Sequence, residues 1–208
     1  MRNPLKEKCG VIGIFSFEGR NITPLLISGL EALQHRGQEA WGIAVKGHPT
    51  FKRTGIVSQS VDVEFEKVSK ISGNVGIGHV RYSTTAKSTL EHAHPMDIGS
   101  MMDDHYFRIA HNGTLERELL LENLKDLGFS SPYGVTDTEL MGISLHRILE
   151  NGKSWTEAFE TLNSYLNGSF SATILTSKGE LIGVRDERGF RPLCLGWHEE
   201  TSSYIIAS

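Results

Sequence analysis

Cys9-Gly10-Val11-Ile12-Gly13-Ile14-Phe15 reads as a short apolar strand that opens on a thiol. Val11, Ile12, Ile14 and Phe15 are β-branched or aromatic, and no polar residue interrupts them. A structural cysteine normally stands inside such a strand, with apolar neighbours on both sides. Cys9 instead stands at the open end, after the polar segment 2–8. Two readings follow from this stretch alone. Cys9 is a small hydrophobe at a strand edge, or it is a nucleophile. If the chain is cut between Lys8 and Cys9, the thiol shares its residue with a free α-amino group. That amine titrates near ~8, close to the ~8.5 of a thiol, and can act as its general base.

Outward from this strand, the totals set the frame. A chain of 208 residues, 38% of them hydrophobic, is long enough for one sizeable core and too apolar for a disordered segment. The net charge of −4 gives no reason to expect nucleic acid or an anionic membrane as partner. Two cysteines, Cys9 and Cys194, are low usage for an oxidising compartment, so a cytoplasmic setting is expected. The first eight residues hold no apolar signal-peptide core, and no apolar run approaches ~20 residues. The end of the chain, Tyr204-Ile205-Ile206-Ala207-Ser208, reads as a strand without a turn or polar tail, the expectation for a fragment of a longer polypeptide.

Along the chain, Asn21 or Thr23 is the expected cap of a helix with Pro24 in its first turn and Leu26, Leu30 and Leu33 on one face. Gly37 is placed just past its end, at a positive φ. Strands are expected over 40–46, 51–57 and 75–80, with a short helix through Val61, Phe65, Val68 and Ile71. Residues 87–104 read as irregular. A strand over 106–110 ends at His111-Asn112-Gly113, and a helix follows around 115–127. Thr136-Asp137-Thr138-Glu139 has the pattern of a capping box, and another helix spans 155–166. Strands over 169–176, 180–185, 192–197 and 204–206 close the chain. Strands at both ends and helices between them fit two antiparallel sheets covered by helices, in one domain. Gly10 and Gly13 do not make a dinucleotide fingerprint.

A thiol that attacks an amide needs a base, donors for the oxyanion and groups that hold the substrate. Asn112-Gly113 offers an amide and an unobstructed backbone N–H, or simply a turn. Arg81, at the end of an apolar strand, offers a carboxylate fork or is merely solvated. Asp137 can hold an ammonium group or stabilise its own helix terminus. His92, His94 and Asp97 match no familiar zinc spacing, so no metal is expected there. Cys194, between Leu193 and Leu195, reads as a buried core residue.

The motifs in combination carry a resemblance. In order, the chain holds Cys9-Gly10-Val11-Ile12-Gly13-Ile14, Gln34-His35-Arg36-Gly37-Gln38-Glu39-Ala40 and Gly78-His79-Val80-Arg81-Tyr82-Ser83-Thr84. His111-Asn112-Gly113 and Thr136-Asp137-Thr138-Glu139 follow. Together they resemble the class II glutamine amidotransferase domain of the amidophosphoribosyltransferases, over nearly all of residues 9–208. Arg185-Asp186-Glu187-Arg188-Gly189-Phe190-Arg191-Pro192-Leu193 is similar to a segment of those enzymes rather than of the amino-sugar and asparagine synthases.

The resemblance implies an α+β, N-terminal-nucleophile hydrolase fold, a four-layer αββα sandwich with two packed, mostly antiparallel sheets. It implies that residues 1–8 are a propeptide and 9–208 the glutaminase domain, a phosphoribosyltransferase domain lying outside this chain. Cys9 becomes the nucleophile, Asn112 and the Gly113 N–H the oxyanion donors. Arg81 takes the glutamine α-carboxylate and Asp137 its α-ammonium, while Thr84, Arg36 and Gly37 order the glutamine loop near the thiol. No cofactor belongs to this chain, although full-length members use Mg²⁺ and some an iron–sulfur cluster. A homo-oligomer is expected for the full-length protein. The sequence departs from the family at Trp41, where a small residue is usual, at His94-Pro95, where glutamine-proline is usual, and at Thr114, where asparagine is common. An amidotransferase domain for another acceptor, or an uncleaved glutamine-binding module, remain the alternatives.

Overall fold

Alternation along the first strand, β1 (Gly10–Ser16), decides how the layers stack. Ile12 and Ile14 point one way and pack with Leu26 and Leu30 of helix α1 (Thr23–Ala32). Val11 and Phe15 point the other way, against Ala110 and Leu175 of a second sheet. A strand apolar on both faces must be covered on both, and this one is. Leu26 and Leu30 are fully buried, each contributing on the order of 2 kcal/mol from area removed from water.

The computed structural model describes residues 9–82, 90–129 and 136–208. β1 lies inside a six-stranded sheet with β2 (Ala40–Val45), β3 (Phe51–Thr54), β4 (Val75–Arg81), β9 (Cys194–His198) and β10 (Ser203–Ala207). The order is β3-β2-β4-β1-β10-β9, with every pairing antiparallel. The second sheet, also antiparallel, has the order β5 (Met96–Ile98), β6 (Phe107–Leu115), β7 (Gly168–Thr176), β8 (Leu181–Arg185). Two short helices, α2 (Val57–Val63) and α3 (Phe65–Val68), follow β3. Helices α4 (Arg117–Asp126), α5 (Asp137–Glu150) and α6 (Trp155–Leu162) cover the outer face of the second sheet, packing Leu120, Leu140, Leu145 and Ala158 on Phe107 and Ile109. Helix, sheet, sheet, helix is the four-layer αββα arrangement expected from the sequence.

Register then assembles one end of the sandwich. Gly10 pairs with Val80, which sets Cys9 beside Arg81. Two contacts orient the other sheet. Arg108 donates to the carbonyl of Val45, opposite Gly76, and the His79 ring meets the His111 carbonyl. β6 therefore runs in the same sense as β4, and Asn112 and Gly113 lie at the end that holds Cys9 and Arg81.

Several expectations are corrected. Helix α1 is entered through Ile22 without a side-chain cap, although Asn21 Oδ1 accepts from the Thr23 N–H at 3.1 Å. The strand expected over 51–57 stops at Thr54, because Gly55 takes φ 89° and turns the chain into α2. Residues 96–98, read as irregular, form β5 by pairing with β6, a tertiary contact that local pattern does not announce. β6 does not end at His111-Asn112-Gly113 but pairs with β7 as far as Leu115. Gly37 has φ −164°, ordinary extended backbone. Its need for glycine is steric, since a Cβ there would stand 2.5 Å from the carbonyl carbon of Arg81. Cys194 is exposed, not buried. It opens β9, the outermost strand, which among the described residues pairs with β10 alone and is exposed along most of its length.

Candidate active site

Cys9 sits at the mouth of the sandwich, partly buried. Its Sγ accepts from the Tyr82 N–H at 3.5 Å and lies 3.7 Å from the Tyr82 carbonyl. Burial pushes the thiol's pKa up. The Tyr82 backbone contact and the charges of Arg81, Arg191 and Arg36 pull in the other direction without overcoming it. The thiol is thus held protonated and needs a base. Its backbone is clamped by Arg36, whose carbonyl accepts from the Cys9 N–H at 3.0 Å and whose Nε donates to the Cys9 carbonyl at 2.8 Å. Cys9 also carries φ 63°, left-handed for a residue with a side chain.

Several polar atoms at this end lack a partner among the described residues, and two of them are donors on candidate site residues. One is Nη1 of Arg81, the last residue of β4. The other is Nδ2 of Asn112, whose residue is 1% exposed. Asn112 shares the inward face of β6 with Ala110, between the sheets. Gly113 follows at φ 153°, where a Cβ would meet the Ser169 carbonyl oxygen at 2.1 Å, so only glycine fits. Ladder alternation turns its N–H away from β7, like that of His111.

Asp137 is the first residue of α5, set by the capping box in which Thr136 Oγ1 accepts from the Glu139 N–H and Glu139 accepts from the Thr136 N–H. Its Oδ2 accepts from the Leu115 N–H at 3.0 Å and its Oδ1 from the Thr138 N–H at 2.9 Å. The helix start is thereby tied to the end of β6, and the carboxylate is oriented at the same mouth. The structure thus brings together Cys9, Arg36, Gly37, Arg81, Asn112, Gly113 and Asp137. Thr84 lies outside the described residues.

Two groups at the site are not singled out by sequence reasoning. Arg191 is near enough for its charge to act on both Cys9 and His111, and its Nε is buried without a partner among the described residues. Its loop is pinned by Asp186, which accepts from the N–H groups of Phe170 and Phe190. Arg191 lies in the 185–193 segment that carries the resemblance, but nothing in that segment assigns it a place beside Cys9. The second group is a set of three buried histidines, His79, His94 and His111. His79 carries a readable signal, because it stands two residues before Arg81 and so shares its face of β4.

Burial, aided by the neighbouring positive charges, pushes His79 down to about 3 and lowers His94 and His111 as well. Unfolded, His79 titrates near 6.5. Between those values only the unfolded chain takes up the proton, so this contribution to stability is full above pH 6.5 and shrinks as pH falls. The slope is up to about 1.4 kcal/mol per pH unit. Urea unfolding at pH 7 and pH 5 should show a loss of about 2 kcal/mol from His79 alone, and more with the other two. Equal stabilities at the two pH values would mean that these rings are charged in the fold.

Known proteins complete the description. A profile described as a glutamine amidotransferase domain matches residues 85–208. The chain belongs to the glutamine amidotransferase domain family. The amidophosphoribosyltransferase of Synechocystis is 36% identical over 208 residues, covering 98% of this chain and 41% of that protein. That of Archaeoglobus fulgidus is 39% identical over 206 residues, covering 96% and 43%. Among solved structures, the glutamine phosphoribosylpyrophosphate amidotransferase of B. subtilis, complexed with ADP and GMP, superposes with a TM-score of 0.78 at 30% identity. It matches 96% of this chain and 41% of its own. A structure described as the allosteric regulatory enzyme of purine biosynthesis gives 0.80 at 30% identity, with 96% and 42% covered. The chain therefore spans 41–43% of the length of these relatives. Among its described residues no helix is long and apolar enough to cross a membrane.

Proposed function

We propose that this chain is the glutaminase portion of an amidophosphoribosyltransferase, acting through Cys9 after residues 1–8 are removed. The observation that carries this reading is the pair of buried donors without a partner among the described residues, Arg81 Nη1 and Asn112 Nδ2, at the end of the sandwich that holds the thiol. A buried donor without a partner is costly, and a substrate that supplies the acceptor explains it.

Glutamine as a zwitterion offers a carboxylate to Arg81 and an ammonium to Asp137, leaving its side-chain amide to reach Cys9. The freed α-amine of Cys9 takes the thiol proton as Sγ bonds to the amide carbon. Asn112 Nδ2 and the Gly113 N–H receive the developing oxyanion, each worth on the order of 3 kcal/mol in the transition state. The same amine returns the proton to the leaving nitrogen, ammonia departs, and a γ-glutamyl thioester remains on Cys9. Water, deprotonated by the amine, then releases glutamate and the thiol. In the whole protein the ammonia passes to a phosphoribosyltransferase region, which makes phosphoribosylamine from phosphoribosyl pyrophosphate. The matched relatives favour that acceptor over an amino sugar. Two free thiols fit a reducing cytoplasm.

The intact mass of the purified protein, paired with ammonia release from glutamine, tests this reading. A mass lacking residues 1–8 together with turnover is the expected result. Brisk turnover at full-length mass would remove the free amine from the mechanism. A form begun at Cys9 that releases no ammonia would overturn the glutaminase reading altogether.

A further inference from the structure

β5 is only three residues long, and this leaves a gap in the second sheet. Its last rung pairs Met96 with Ile109, so the next stretch of β6, from Ala110 onward, has no β5 partner on that side. In an antiparallel ladder the N–H and C=O of one residue point the same way. At His111 both point into the gap, away from β7. A buried backbone pair with no strand opposite needs other partners, and two imidazoles provide them. His79 Nε2 stands 3.2 Å from the His111 carbonyl oxygen. His94 Nδ1 stands 3.2 Å from the same oxygen and 3.3 Å from the His111 nitrogen. With His79 donating to the carbonyl, His94 Nδ1 is free to accept from the N–H.

The two rings are packed as a unit, with centroids 4.5 Å apart. The His94 backbone fits over β2 because Gly42 has no side chain, a Cβ there falling 2.4 Å from the His94 carbonyl oxygen. Gly42 is in turn the ladder partner of His79. His111 completes a chain of contacts by placing Nδ1 2.8 Å from Thr138 Oγ1, next to Asp137. Thus β4, which carries Arg81, β6, which carries Asn112, and α5, which carries Asp137, meet through one set of buried histidines.

We propose that His79 and His94 are positioning residues of the amidotransferase site: they replace the missing β5 rung at His111 and so hold Asn112 and Gly113 in the geometry that stabilises the oxyanion. This rests on the glutaminase reading above. Their effect falls on the chemical step rather than on glutamine binding, because Asp137 is oriented by the Leu115 and Thr138 N–H groups and Arg81 by the pairing of β4 with β1 and β2, none of which uses the His79 or His94 ring.

The test compares His94→Leu with His94→Asn in the form begun at Cys9. Asparagine sets an amide atom where Nδ1 stands, and leucine sets none. His94→Leu should lower kcat for glutamine hydrolysis by 10- to 100-fold, roughly the loss of a misplaced oxyanion donor, with KM within about 3-fold. His94→Asn should recover most of that loss. Alkylation of Cys9 by iodoacetamide, which forms no oxyanion, should keep its wild-type rate in both. Unchanged kcat in His94→Leu overturns the proposal, as does a fall shared by KM or alkylation, or a failure of asparagine to rescue. If His94→Leu does not fold, His79→Gln against His79→Met puts the same question, since glutamine keeps a donor near Nε2 and methionine does not. Wild-type protein without ammonia release is a different result. It overturns the glutaminase reading, and this inference with it.

Discussion

Replacing Cys9 by alanine is expected to abolish ammonia release from glutamine, by about 10⁴-fold or more, while the protein stays folded. The size follows from removing the only atom that forms the covalent intermediate, since loss of a nucleophile in comparable hydrolases leaves only what binding and the oxyanion donors supply. The fold should survive because Cys9 belongs to none of the apolar clusters, and among the described residues its Sγ makes hydrogen-bond contact with the Tyr82 backbone alone. Alanine at φ 63° has the same left-handed conformation to bear as cysteine. Calorimetry should still detect glutamine binding, because Arg81 and Asp137 are untouched. Residual turnover above about 1% of wild type would point to another nucleophile and is the outcome that sinks this assignment.

Asn112→Ala should lower kcat by 10²- to 10³-fold with little change in KM, the signature of a donor used in the transition state. Stability gives a second, independent readout. Asn112 Nδ2 is buried without a partner among the described residues, so the free protein already bears the cost of an unmet donor. Truncation removes that cost. The melting temperature should therefore hold or rise while activity collapses. An asparagine kept for structure would behave in the opposite way, losing stability first. A variant that melts lower and keeps its kcat would show that Asn112 serves the ladder and not the reaction.

What could be read from the sequence follows the range of the forces involved. β1 and β4 were legible because their apolar runs are buried on both faces, and the start of α5 because a capping box is a four-residue device. Asn112 and Asp137 stand out as candidate site residues only in combination, each having an ordinary local explanation. β5 was not legible, since three residues become a strand only by lying against β6. Cys194 departs from its sequence pattern for a related reason: its apolar neighbours suggest a core, but whether a strand is central or outermost depends on sheet order. His94 has no local signature beyond a spacing that fits no metal site. Its part in the fold appears only when β4 and β6 are seen to meet. Arg191 is brought to Cys9 by a loop that Asp186 holds from β7, a long-range contact that no window of sequence contains.

The left-handed φ of Cys9 bears on the proposed removal of residues 1–8. A φ angle is defined by the carbonyl carbon of the preceding residue, so an amino-terminal residue has none. In the uncut chain Cys9 holds φ 63°, a conformation that costs a residue with a side chain roughly 1–2 kcal/mol. Cleavage after Lys8 does not relax that conformation into another; it deletes the torsion that defines it. Under the proposed cut the nitrogen, which faces the Arg36 carbonyl at 3.0 Å, would exchange an amide for an amine in place. The fold itself would then tilt the equilibrium toward product, and the proposed base would need no rearrangement.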